Sequence, residues 1–193
     1  MITFWRCLRL YAFMLLLTGV IYPLLVTGFA YIAFNDKANG SMITSQGRVI
    51  GSSLIAQKFE DPKYFWSRPS AVNYNPLPSG GSNLSPTSAV LKKTVEERRQ
   101  YILKTHETND ITTIPSSLIF ASGSGLDPHI RVKAAYFQID RITKARGLNE
   151  AEDKEKIKKL IDSMSSHSYI NVLLLNLALN KEYSDPGETK AKR

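Results

Sequence analysis

The run LYAFMLLLTGVIYPLLVTGFAYIAF, Leu10–Phe34, holds 25 residues and not one charge. Coiled as a helix at about 1.5 Å per residue it spans ~37 Å, against a bilayer hydrocarbon core of about 30 Å. The run therefore predicts one tilted transmembrane helix. Trp5 and Tyr11 stand at one end and Tyr31 and Phe34 at the other, where interfacial aromatics gather. A cleaved signal peptide is the rival reading, with Gly28-Phe29-Ala30 as its cleavage site. Signal cores run about 7–15 residues, and Tyr31-Ile32-Ala33-Phe34 carries the apolar run past that site, so an uncleaved anchor is expected. Arg6 and Arg9 precede the run, while Asp36 and Lys37 follow it. The positive-inside rule puts residues 1–9 in the cytoplasm and the rest of the chain outside.

Gly19, Pro23, Thr27 and Ala30 are spaced four, four and three and share one helix face. Small residues let helices approach closely in lipid. Pro23 lacks an N–H and frees the carbonyl of Gly19, and the Tyr22 hydroxyl needs a partner at mid-membrane. These five residues are a candidate docking face for a neighbouring helix. The alternative is composition alone, since Gly and Pro are common in membrane helices.

The remainder of the 193 residues suffices for one soluble domain. Lys and Arg outnumber Asp and Glu by 25 to 17, but the positives are scattered rather than striped, so a nucleic-acid partner is not expected. Cys7 is the only cysteine, which excludes an internal disulfide.

Residues 35–46 read as a linker, 47–183 as an α+β extracytoplasmic domain and 184–193 as a disordered tail. Val49-Ile50 and Leu54-Ile55 predict short strands on either side of Gly51-Ser52-Ser53. The segment Asp61–Pro86 is too rich in proline and glycine for a long helix; its aromatics predict an ordered loop. A helix should follow, capped by Thr87 or Ser88, burying Leu91, Val95 and Ile102 and turning Glu96, Glu97, Arg98 and Arg99 to water. Residues 105–112 read as an exposed loop. A second helix is expected from an Asp127 N-cap and Pro128 to Gly147, with Val132, Ala135, Ile139 and Ile142 inward. A third starts near Asn149 and buries Ile157, Leu160, Ile161 and Met164. Ile170–Leu179 fits a strand or a buried helix capped by Asn171; periodicity does not separate the two.

Chemistry is sparse. Ser122-Gly123-Ser124-Gly125 precedes the expected second helix, where anions bind. It lacks the lysine and spacing of a phosphate loop, and Asp127 would occupy the N–H groups such a site needs. Gly123, Gly125 and Asp127 are therefore read as a tight turn and cap. There is no G-x-S-x-G, and His106, His129 and His167 stand alone without a metal-binding pattern. Tyr64-Phe65-Trp66-Ser67-Arg68-Pro69-Ser70 with Asn73-Tyr74-Asn75-Pro76 has two readings. Phe65, Trp66, Arg68, Asn73, Tyr74 and Asn75 suit a partner surface, and they equally suit a loop propped by its own aromatics and Asn side chains.

Taken in order, several stretches resemble one family, the C subunit of the Kdp-type, ATP-driven potassium transporter. They are Gly19-Val20-Ile21-Tyr22-Pro23-Leu24, Gly51-Ser52-Ser53-Leu54-Ile55-Ala56-Gln57, Tyr64 to Ser70, Ser79-Gly80-Gly81-Ser82-Asn83-Leu84, Ala121 to Ile130, Ala145-Arg146-Gly147-Leu148, and Asn171-Val172-Leu173 with Leu175-Asn176. Ala56, where the family often has Gly, and the basic Arg131–Lys133 depart from the pattern. The resemblance implies a non-catalytic accessory subunit in the plasma membrane. Its partners would be a potassium-translocating A subunit and a P-type ATPase B subunit, besides membrane lipid. It also implies a catalytic chaperone that raises the B subunit's affinity for ATP. No D-K-T-G sequence is present, so ATP chemistry is expected in another chain. No cofactor is expected to bind tightly here: ATP acts only through the complex, and potassium is the cargo. The other function class is a membrane-anchored extracytoplasmic enzyme or binding protein, which needs a nucleophile and base that the sequence does not display.

Overall fold

A computed structural model describes residues 1–45 and 47–183; the expected tail at 184–193 lies outside the described residues. The chain divides into two compact units, one of Met1–Ser52 and one beginning at Ser53.

In the first unit, helix α1 (Ile2–Leu16) continues through a π turn (Leu17–Ile21) into α2 (Tyr22–Ala33). The whole stretch Ile2–Ala33 has a mean hydropathy of 2.0 in its most apolar window, none of which is buried. It is one helix long and apolar enough to cross a membrane. It starts earlier than the uncharged run, so Arg6 and Arg9 ride on its first turns. The π turn sits where Pro23 lacks the N–H that would reach Gly19. The Tyr22 N–H reaches back to Leu17 instead, and the widened turn absorbs the missing bond.

The segment expected as a linker holds a one-turn helix α3 (Asn35–Ala38) and strand β1 (Met42–Ser45). Strand β1 pairs antiparallel with β2 (Arg48–Ser52), with Ile50 as an extra residue between the Val49–Thr44 and Gly51–Ile43 pairs. Val49-Ile50 is thus a strand as expected. Leu54-Ile55 is not: it lies in a turn with both side chains exposed, because β1 supplies the pairing edge that β2 needs.

The second unit is α+β. Helix α4 (Ala89–His106) is capped by Ser88, whose Oγ accepts from the Leu91 N–H, and ends at Glu107 in the left-handed region, φ 50°. It buries Ile102. Arg98 and Arg99, expected to face water, are both half-buried; Arg98 donates to the Ile119 carbonyl at 3.0 Å and Arg99 pairs with Glu96. The region expected as a loop at 105–112 is partly helical, for α4 runs to His106 and a 3₁₀ turn begins at Ile111.

No helix starts at Asp127. Instead β3 (His129–Arg131) pairs antiparallel with β4 (Tyr169–Asn171), and α5 (Val132–Phe137) and α6 (Ile139–Arg146) follow, split at Gln138. The strand ladder wins because the Pro128 carbonyl accepts from Val172 N–H and the Ser168 carbonyl accepts from Val132 N–H, which ties this segment to β4. Gly147 ends α6 at φ 64°, as its position past the periodic residues predicts. Asn149 Oδ1 accepts from the Ala151 and Glu152 N–H groups ahead of α7 (Glu152–Met164). The ambiguous run is both things: β4 to Asn171, then α8 (Val172–Tyr183), with Asn171 Oδ1 accepting from Leu174 N–H as a cap. One core joins Phe65, Ile130, Ile142, Ile157, Ile161, Ile170, Leu175 and Leu179, all almost completely buried.

Candidate functional site

The Pro-rich segment reaches this core without joining a sheet, so its backbone polar groups must find other partners. Two buried amides serve as a surrogate strand. Asn176 on α8 accepts from Phe65 N–H at 2.8 Å and donates to the Phe65 carbonyl at 2.9 Å. Gln138, at the break between α5 and α6, accepts from Trp66 N–H at 2.7 Å and donates to the carbonyls of Ala134 and Trp66.

Arg141 completes the anchor. Its guanidinium donates to the carbonyls of Pro62 and Tyr64, to Gln138 Oε1 and, through Nε, to His106 Nε2 at 3.1 Å, and lies 3.9 Å from the Trp66 ring centroid. Burial lowers its pKa to about 10, so it remains charged at neutral pH. His106 donates from Nδ1 to the Ile102 carbonyl, which leaves Nε2 as the acceptor for Arg141. Burial first, and the Arg141 charge second, lower its pKa to about 4, so it is the neutral tautomer.

The two glycine turns lock together beside this anchor. Ser122 N–H donates to the Pro69 carbonyl and Gly80 N–H to the Ser124 carbonyl. Gly125, at φ +70°, comes so near the opposite loop that a Cβ would lie 2.6 Å from Val72 Cγ2 and 2.8 Å from the Gly80 carbonyl oxygen. Gly123 lies opposite Gly81, where a Cβ would meet its carbonyl oxygen at 3.0 Å. Asp127 is not a helix cap. Its Oδ1 accepts from His129 N–H and its Oδ2 pairs with Arg68 at 3.0 Å.

The residues read as a partner surface divide. Phe65 is wholly buried and Trp66 is 9% exposed; they are packing residues, because the loop lacks a ladder and must sink its aromatics to stay fixed. Arg68 is half-buried against Asp127 and the Ala121 carbonyl. Asn73 and Tyr74 adopt φ 52° and 58°. Tyr74 donates to the Arg68 carbonyl, and its hydroxyl is pushed up to about 12 by burial, against the opposing charge of Arg98 and with a further rise from Glu60. Asn75 is exposed and its Oδ1 accepts from Leu77 N–H. In the long helix Gly19 lies in the π turn and Tyr22, Pro23, Thr27 and Ala30 in α2. Within this chain a Cβ at Gly19 would touch nothing, and Tyr22 is 65% exposed.

No motif marks Gln138, Arg141, Asn176 or Arg98. The signal was present in part: Gln138 interrupts the inward face Val132–Ala135–Ile139–Ile142, and Asn176 interrupts the apolar run of α8. An amide at such a position must satisfy its polar groups inside the core. Among the described residues no group of three or more His, Cys, Asp and Glu side chains converges as a metal set would.

Comparison with known proteins covers most of the chain. Residues 4–181 match the family model described as K+-transporting ATPase, c chain. The chain is 44% identical to the potassium-transporting ATPase KdpC subunit of Leptospira interrogans over 181 residues, covering 91% of this chain and 92% of that one. It is 42% identical to the protein of the same name from Janthinobacterium sp. over 93% of this chain and 98% of that one, and 38% identical to the one from Caldanaerobacter subterraneus over 92% and 94%. With a match that spans both the apolar helix and the anchored loop, the chain belongs to the KdpC family, the C chains of potassium-transporting ATPases.

Proposed function

We propose that this chain is a non-catalytic accessory subunit of an ATP-driven potassium uptake complex. In this reading it is held by one transmembrane helix with its N-terminus in the cytoplasm and residues 36–193 outside. The A subunit carries potassium and the B subunit hydrolyses ATP. The single observation that carries the reading is the long helix. An apolar segment of 32 residues whose apolar window is not buried at all by its own chain needs lipid and partner helices around it. Its narrow face of Gly19, Pro23, Thr27 and Ala30 suits close helix packing.

Support for a scaffold rather than an enzyme comes from how the second unit uses its polar residues. Gln138, Arg141, Asn176 and His106 hold backbone and one another. Arg141 and His106 also line a cavity of about 410 Å³, but their guanidinium and ring nitrogens are taken up by these internal bonds. The same reading makes the chain a chaperone of nucleotide binding: ATP contacts the B subunit, and this chain raises its affinity from across the membrane.

The test is to purify the complex with and without this chain. Omitting the chain should raise the KM for ATP of the remaining ATPase or release the A subunit from the B subunit. An unchanged KM in an intact complex sinks the proposal. Protease added to intact spheroplasts checks the topology; a large fragment that survives until lysis places the domain on the wrong side.

A further inference from the structure

A cavity of about 290 Å³ opens between helix α4 and the anchored loop, lined among others by Lys58, Trp66, Tyr74, Arg98, Tyr101 and Leu118. Its walls are aromatic. The Trp66 and Tyr101 rings stack, with centroids 5.6 Å apart and planes 19° from parallel, and Tyr101 is 53% exposed. Its charge is unbalanced at one point. Lys58 at the rim is paired with Glu60 at 2.8 Å. Arg98 is half-buried and has, among the described residues, one hydrogen-bond acceptor, the Ile119 carbonyl, and no carboxylate within ion-pair distance.

A guanidinium carries five N–H donors in a fork that matches a carboxylate. The buried guanidinium of Arg141 is engaged on every face. Arg98 is not treated so. Burial lowers its pKa, and the opposing influence is a tyrosine, Tyr74, rather than an acid. Desolvating a cation without a counter-charge costs stability, and a carboxylate brought from outside would offset that cost.

We infer that this cavity receives an acidic side chain, Asp or Glu, from a neighbouring subunit, with its carboxylate paired to Arg98 and its stem packed against Tyr101 and Tyr74. The charge favours a protein surface as the source, since a chain of net charge +8 attracts an acidic one. The inference rests on the accessory-subunit reading, and it names a contact within it.

The test uses the full complex with Arg98→Lys. Treated with a carbodiimide, the new amine condenses with a touching carboxylate, losing water to form an amide bond that peptide mass spectrometry locates. An arginine at 98 does not couple, so the wild-type complex is the control. A cross-link from position 98 to an Asp or Glu of another subunit is expected. In a second arm, Arg98→Glu should speed release of the chain from the immobilised complex about tenfold or more, while circular dichroism and thermal melting of that variant stay close to wild type. Tyr101→Ala, at an exposed position, should speed release more mildly. An intact complex in which position 98 couples only to acids of this chain or of a second copy, or to nothing, overturns the inference. So does a small carboxylic acid retained on the complex in native mass spectrometry. Failure of the wild-type chain to co-purify with any other subunit is a different result: it removes the accessory-subunit reading, and the inference falls with it.

Discussion

Replacing Asn176 with Leu isolates what the buried amides contribute. The side chain stays γ-branched and apolar contacts along α8 are kept. What is lost is the pair of hydrogen bonds at 2.8 and 2.9 Å to the Phe65 N–H and carbonyl. Phe65 is completely buried, so water does not replace the partner. A buried backbone group left unpaired costs about 1–3 kcal/mol. Two such groups give ~2–6 kcal/mol, and the apolar gain from leucine returns about 1 kcal/mol of it. A net loss of about 3 kcal/mol in a chain of this size lowers Tm by ~6–12 °C. The assay is thermal unfolding of the full chain in detergent, with trypsin cleavage after Lys63 as a local readout. Lys181→Ala, exposed on the same helix, serves as the control and should shift stability by less than about 0.5 kcal/mol. If Asn176→Leu melts within about 2 °C of wild type and the chain is cut no faster after Lys63, the amides do not hold the loop and the anchoring argument is wrong.

Acid should weaken the same anchor through His106. Its pKa falls from the ordinary 6.5 to about 4 on folding, so the unfolded chain takes up the proton first. The stabilising contribution is complete above pH 6.5 and is lost as pH falls towards 4, by ~1–2 kcal/mol once solvent screening of this partly exposed ring is allowed for. Urea titrations between pH 7 and 4 measure it; His106→Gln, which accepts from Arg141 and cannot be protonated, should flatten the profile. Gly125→Ala places a methyl 2.6 Å from Val72 Cγ2 at a φ of +70° and should cost about 2–4 kcal/mol. Gly123→Ala, with open space at its Cβ, should cost less than about 1 kcal/mol by the same denaturation assay. Gly19→Leu should insert normally yet recover less of the A and B subunits in pull-downs than the conservative Leu16→Ile; equal recovery would show the small-residue face to be composition alone.

The sequence displays what local rules govern. Leu10–Phe34 announces the long helix because lipid imposes length and apolarity together. Ser88, Gly147 and Asn171 announce helix ends because a cap or a left-handed residue acts over three or four positions. Asp127-Pro128 imitates a helix start and is not one, for the competing bonds come from Ser168 and Val172, some forty residues away. The aromatic loop shows the same limit. Its order was legible from its prolines and aromatics, but its partners Gln138, Arg141 and Asn176 are brought in by tertiary packing. Arg98 and Arg99 read as solvated because they stand in the charged run Glu96-Glu97-Arg98-Arg99; the Ile119 carbonyl that draws Arg98 inward belongs to a separate turn.

The anchored loop and the open cavity share one ring. Trp66 has Arg141 over one face at 3.9 Å and is stacked with Tyr101, on the cavity side, at 5.6 Å. Its N–H groups are committed, the backbone one to Gln138 and the indole one to the Asp61 carbonyl. The ring therefore cannot rotate without breaking bonds on both sides, and Tyr101 and Arg98, three residues apart on α4, face a wall that is already fixed. A surface preset in this way loses little conformational entropy when a partner arrives. Two glycine turns, two amides and a neutral histidine thus hold a proline-rich segment, which has no strand neighbours, in one shape, and on our proposal that shape is what another chain meets.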